Sequence, residues 1–151
     1  MKRRNIFRFI VLPLLLLLAS AAIFIYKEYN RTHKDTTKLK PDYTLTATAL
    51  LKEFETSEQS SNKKYWDKVV QVDGIIKELN KDEKGFYSVI LGDTASMSSV
   101  RCSVDSVHTA EAASLKKGSS VTMKGICTGF NSDALLGSDV ILVRSVVDNK
   151  K

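Results

Sequence analysis

The chain has 151 residues and a formal net charge of +6, but the excess is confined to one end: residues 1–40 hold nine Lys/Arg against Glu28 and Asp35, while residues 41–151 hold fourteen against fifteen Asp/Glu. A body near −1 argues against a broad basic field for polyanions, so the basic end has to be read separately from the rest. About 110 residues beyond the basic end are enough for one core.

Met1, Lys2, Arg3, Arg4 and Arg8 form a basic tail, residues 1–8, that leads into the uncharged run Phe9–Tyr26. Eighteen helical residues reach about 27 Å, close to the hydrocarbon thickness of a bilayer. Pro13 falls one turn inside, where lipid-embedded helices tolerate it. The reading is a retained signal-anchor helix over residues 9–26 with membrane lipid as its partner. Ala19-Ser20-Ala21 offers a cleavage pattern as the competing reading, but the apolar stretch continues through Ile23, Phe24, Ile25 and Tyr26 and exceeds a signal-peptide core. No cysteine follows the run, so a lipid-modified N-terminus is not expected. The dense charge of the first eight residues predicts an inside N-terminus and an outside body. Residues 27–42 are polar, without apolar period, and read as a stalk near the membrane surface.

Beyond Pro41 the first element is a helix, with Thr46 placed to cap it and Ala49, Leu50, Phe54 and Leu45 near helical spacing. Helical character continues weakly from Glu58 to Lys64, and Tyr65 and Trp66 bring aromatic bulk to the junction with the first strand. From Val70 the period becomes two, as Val70, Val72, Gly74 and Ile76 alternate with polar residues. Asp82-Glu83-Lys84-Gly85 marks a turn, Phe86–Leu91 a second strand, and Val100, Cys102 and Val104 a third. Ser106–Leu115 reads as a short helix ended by Lys116-Lys117-Gly118. Val121, Met123, Gly125 and Cys127 repeat the spacing of the first strand, and glycine within a strand points to a bend or bulge. Thr128–Asp133 reads as a loop, and Val140–Val147 as a last strand whose Arg144-Ser145 breaks alternation.

Three strands, a helix and two strands is the element order of the OB-fold, so the predicted class is mainly β. The expected body is a five-stranded Greek-key barrel over residues 43–148, with a leading helix, a helix between strands three and four, and a tail at 149–151. Leu50-Leu51-Lys52-Glu53-Phe54, the segment Tyr65–Gly74, and Lys124-Gly125-Ile126-Cys127-Thr128-Gly129-Phe130 resemble the tRNA-anticodon-binding-domain-like OB family of bacterial envelope proteins. The resemblance implies a location in a bacterial inner membrane or at the cell surface. It implies no catalytic or binding residue, and OB barrels bind oligosaccharides and proteins as well as nucleic acids.

No motif for nucleophilic, phosphate-transfer or zinc-protease chemistry is present, so an enzyme is not expected and no cofactor is implied. Cys102, His108 and Cys127 lack the paired spacing of a zinc site, and both cysteines alternate with core residues, so buried free thiols are expected rather than a metal site. The third and fourth strands of an OB barrel are separated by the fifth, which places the two cysteines beyond disulfide reach. A ligand surface would draw on Tyr87, Phe86 or Phe130 as aromatic platforms, on Lys77, Arg101 and Lys124 as cations, and on the Cys127–Leu136 region with Asn131. The ligand-binding set is therefore Tyr87, Arg101, Lys124, Phe130 and Asn131. The partner read from this surface is a protein, peptide or glycan of the envelope, ahead of single-stranded nucleic acid, which the charge division disfavours.

Overall fold

The computed structural model describes residues 17–23, 25–26, 35–133, 135 and 137–148. The basic tail 1–8, residues 9–16 of the expected membrane span, residues 27–34 of the stalk and the tail 149–151 lie outside the described residues. Residues 17–23 and 25–26 are helical and exposed, and among the described residues no helix is long and apolar enough to cross a membrane. The chain divides into two compact units, residues 1–34 and 35–151.

The second unit begins with a 3-10 turn at Thr36–Lys38, whose Thr36 is fully buried. The part of the stalk reading from Asp35 onward is thereby corrected: these residues belong to the domain. A short strand follows, β1 (Tyr43–Thr46), then α1 (Ala47–Thr56), α2 (Glu58–Tyr65), β2 (Val69–Lys81), β3 (Tyr87–Leu91) and β4 (Ser99–Val104). A 3-10 turn at Ser106–His108 leads into α3 (Thr109–Ala113), and β5 (Ser120–Asp133) and β6 (Gly137–Val147) complete the chain.

The sheet has six strands, not five, in the order β1-β2-β3-β4-β6-β5, and a further β2–β5 pairing closes a circuit of the last five. Only β4–β6 within that circuit is parallel, as the OB element order requires. The unforeseen strand is β1, parallel to β2 with Tyr43 opposite Val70. Asp42 pins it, donating its N–H to the Val69 carbonyl at 2.8 Å and accepting the Val69 N–H on its carboxylate at 2.9 Å. Four residues of mixed burial carry too little period to be read as a strand from sequence.

Thr46 caps α1 by accepting the Ala49 N–H at 3.2 Å, as its position before the apolar pattern predicts. The buried face is Ala47, Leu50, Leu51 and Phe54, while Ala49 faces solvent and Leu45 belongs to β1. That face covers one side of the sheet's interior, where Val70, Val72, Ile76, Val89, Leu91, Val100, Met123, Val140 and Leu142 meet.

Both strand glycines lie where chains approach closely. A Cβ on Gly74 would stand 3.1 Å from the Ala47 Cβ and 3.2 Å from that of Leu91, so the missing side chain admits α1 and β3 together. Near this point β2 passes from β5 to β3, with a register shift between Ile76 and Glu78. In β6 the break in alternation at Arg144-Ser145 is a bulge: Arg144 has φ 48°, and the ladders to β4 and β5 both slip around it.

The Thr128–Asp133 loop reading is overturned. These residues continue β5, with Phe130 opposite Val140, Asn131 opposite Asp139 and Asp133 opposite Gly137. The polar residues here occupy a solvated hairpin arm, and ladder hydrogen bonds to β6 outweigh their weak strand preference.

Cys102 and Cys127 are free and buried, and both lie opposite Leu142 from its two sides. They are thus one strand apart, at about 9.6 Å between flanking strands, beyond disulfide reach. Burial pushes the Cys102 thiol up to about 12 and raises that of Cys127 as well, so neither is a thiolate near neutral pH.

Candidate functional site

The pleat decides which side chains can meet a ligand. Val89, Leu91, Val100 and Cys102 point into the core, so Ile90 and its cross-strand partner Arg101 point outward, followed by Ser99. On β6 the inward pair Val140 and Leu142 leaves Asp139 outward, opposite Asn131 of β5. Together with Lys77 and Glu78, where β2 shifts register, these residues line an open groove of about 500 Å³.

One rim is the 93–98 segment. Lys77 Nζ donates to the carbonyls of Ser96 at 2.6 Å and Ser98 at 3.0 Å, drawing that loop over the sheet. Gly137 supports the same rim: its φ is 86°, and a Cβ there would strike the Met97 backbone carbonyl carbon at 2.6 Å. Any other residue at 137 would be strained and would displace the loop.

In the groove Arg101 Nη2 donates to Asp139 Oδ2 at 3.0 Å, and the Ser99 hydroxyl donates to Asp139 Oδ1. The lining carries Lys77, Arg101 and Lys117 against Glu78, Asp133 and Asp139, so its formal charges cancel. Polar groups of both signs over a floor of Ile90 can hold an oriented polar ligand. They do not concentrate anions.

Of the five sequence-derived ligand residues, the fold brings Arg101 and Asn131 together in this groove and sends the other three elsewhere. Tyr87 packs against the core with the Lys81 ammonium 5.4 Å over its ring. Phe130 lies stacked on Phe54, with ring centroids 5.1 Å apart and planes at 22°, so its face is spent inside the domain. Lys124 is only 3% exposed; its Nζ donates to the Thr37 carbonyl at 3.1 Å and lies 3.7 Å from the Asp148 carboxylate. Of the other sequence candidates, Phe86 is exposed at the β2–β3 turn, and His108 faces Asp35 and Glu111 rather than the cysteines.

Sequence reasoning passed over Asp139, Ser99, Glu78 and Lys117. Asp139 carried a signal: a carboxylate next to Val140 at the head of an alternating strand must face out, as Arg101 must between Val100 and Cys102. That these two strands are neighbours, which makes the pair, lies in the topology alone.

A closed five-strand circuit with one parallel pair and a polar groove on its outer face defines a small OB-like domain. The chain belongs to the tRNA_anti-like family, whose profile matches residues 1–145. Among solved structures it is similar to a Klebsiella pneumoniae lipoprotein provisionally named as nucleic acid-binding, at 20% identity and TM-score 0.56, covering 70% of this chain and 91% of that one. Asparaginyl-tRNA synthetases also match, that of Entamoeba histolytica at 16% identity and TM-score 0.37 and that of Pyrococcus horikoshii at 19% and 0.37, each over 56% of this chain. This chain spans only about a fifth of either synthetase, 21% and 20%, and likeness at that level carries no functional argument. No curated protein matches the chain.

Proposed function

We propose that the protein is a membrane-anchored, non-catalytic binding module of the bacterial envelope, in which an OB-type Greek-key barrel offers the outer groove to a protein, peptide or glycan. The observation that carries the reading is the charge balance of the groove, in which Arg101 is already paired with Asp139 and Lys77 holds its own loop. A single-strand binder instead needs uncompensated cations beside exposed aromatic faces, and here Tyr87 and Phe130 are turned to the core. Anchoring rests on the uncharged run Phe9–Tyr26 behind a basic tail, with the N-terminus inside and the domain outside.

Nucleic-acid binding is the second reading, favoured by the name of the Klebsiella relative. One preparation tests both. The full chain, extracted in detergent, is titrated with a labelled single-stranded oligonucleotide at two salt concentrations and used to capture partners from envelope extract, each with Arg101→Ala alongside. Nucleic acid is expected to bind no tighter than about 10⁻⁴ to 10⁻⁶ M at physiological salt, unchanged by R101A, whereas envelope capture should weaken in R101A. Submicromolar, steeply salt-dependent oligonucleotide binding that R101A abolishes would move the assignment to nucleic acid. In alkaline carbonate the protein should stay with the membrane; release would remove the anchor from the proposal.

A further inference from the structure

A second cleft, of about 440 Å³, lies between the start of α1 and the loop after β3, and its lining includes Ala47, Asp73, Gly74, Ile75, Gly92 and Asp93. Thr94 lines both this cleft and the groove, so the two adjoin. Ile75 stands in the middle of β2 yet is 48% exposed. Its carbonyl accepts the Gly92 N–H at 3.1 Å, which ties the loop to the strand beside it. Gly74 and Gly92 contribute only backbone, so a long side chain entering along Ile75 meets no competing side chain from either.

The cleft differs from the groove in charge. Its lining holds Asp73 and Asp93 and no lysine or arginine. Asp73 Oδ1 accepts the Thr122 hydroxyl, and Asp93 Oδ1 accepts the Ala95 N–H at 2.9 Å. These neutral donors orient the carboxylates without cancelling their charge, and among the described residues neither carboxylate forms an ion pair. The N-terminus of α1 offsets about half of one charge. Lys77, beyond Gly92, is held by the carbonyls of Ser96 and Ser98.

We propose that this cleft is a specificity pocket for a lysine or arginine side chain of a protein partner seated in the adjoining groove. The inference rests on the reading of that groove as a protein- or peptide-binding surface. A basic side chain pairs an alkyl stem with a cationic head, and the cleft pairs an exposed isoleucine with two uncompensated carboxylates. The stem packs on Ile75 and the head reaches Asp73 and Asp93. An acidic segment meets like charge here, and an uncharged one leaves both carboxylates unanswered.

The test uses the full chain in non-ionic detergent, titrated with acetylated hexapeptides that alternate serine with lysine, norleucine or glutamate. Norleucine keeps the stem and lacks the ammonium. Affinity should fall in the order lysine, norleucine, glutamate, and Asp73→Asn and Asp93→Asn, which retain an accepting oxygen, should each weaken the lysine peptide about two- to fivefold without moving norleucine. Equal affinity for lysine and norleucine, or a lysine preference that survives D73N/D93N, overturns the pocket. Should D73N/D93N lose the parent's thermal unfolding transition, Ile75→Ser decides: weaker binding of lysine and norleucine peptides supports the pocket, and unchanged binding overturns it. Arg101→Ala separates the two readings. Envelope capture lost in R101A, with no preference for lysine, leaves the groove and overturns the pocket. A lysine preference abolished by D73N/D93N, with capture indifferent to R101A, supports the pocket and removes the groove as its approach.

Discussion

Phe54→Ala is expected to destabilise the domain by about 3–5 kcal/mol, the range for emptying a buried aromatic site. Phe54 is 1% exposed on the inner face of α1 and is an inner ring of the run Tyr43, Tyr65, Phe54 and Phe130. It stacks on Tyr65 at 5.8 Å and on Phe130 at 5.1 Å, so it joins α2 to the far arm of β5. Truncation leaves a cavity between two rings on separate elements, and Tyr65 is held in place from its other side by Tyr43 and by its hydrogen bond to Glu53, so the site cannot simply collapse inward. Urea unfolding should show a lower midpoint with little change in slope. Phe86→Ala, at the exposed β2–β3 turn, should stay within about 0.5 kcal/mol. A loss below about 1 kcal/mol for F54A would mean that the aromatic stack does not hold α1 and β5 together.

Gly125→Ala should cost about 1–3 kcal/mol by overpacking, although alanine is normally a mild change in a strand. A Cβ at 125 would run into the Ser145 hydroxyl and stand 3.1 Å from the Leu142 Cβ. Ser145 is fully buried at the β6 bulge and donates to the Leu142 carbonyl at 3.3 Å, so it has little room to yield. The cause can be isolated by a double-mutant cycle. Ser145→Ala removes the clashing oxygen, so G125A should cost measurably less in that background than in the parent. Equal costs in both backgrounds would show that the close approach is not the source.

Strand alternation makes only half of the candidate site legible in the sequence. Arg101 stands between two core residues of a short strand, so alternation alone turns it outward. Asn131 lies in a polar stretch that reads as a loop, yet it reaches the groove because β5 continues as a hairpin arm. Lys124 shows the opposite failure. It follows Met123 in an alternating strand and should face solvent, and the strand does turn it away from the main core. The 3-10 turn at Thr36–Lys38 then covers that outer surface and buries it. Tyr87 and Phe130 are ambiguous in the sequence because an aromatic side chain suits a ligand and a core equally well. The position of Phe54 opposite Phe130 decides it for Phe130, and packing against the core decides it for Tyr87.

Local chemistry written in the chain settles several features without tertiary information: the uneven charge, the Thr46 cap, the alternation that buries both cysteines, the strand glycines and the break at Arg144-Ser145. Each depends on residues a few positions apart, where propensity and period act. What the tertiary structure decided is the closure of the sheet by β2–β5, the addition of β1, the Arg101–Asp139 pair and the docking of Asp35 against His108, 73 positions away. Those features arise when distant segments bury a common surface, and the energy that selects them is a property of the pairing, which neither segment displays alone.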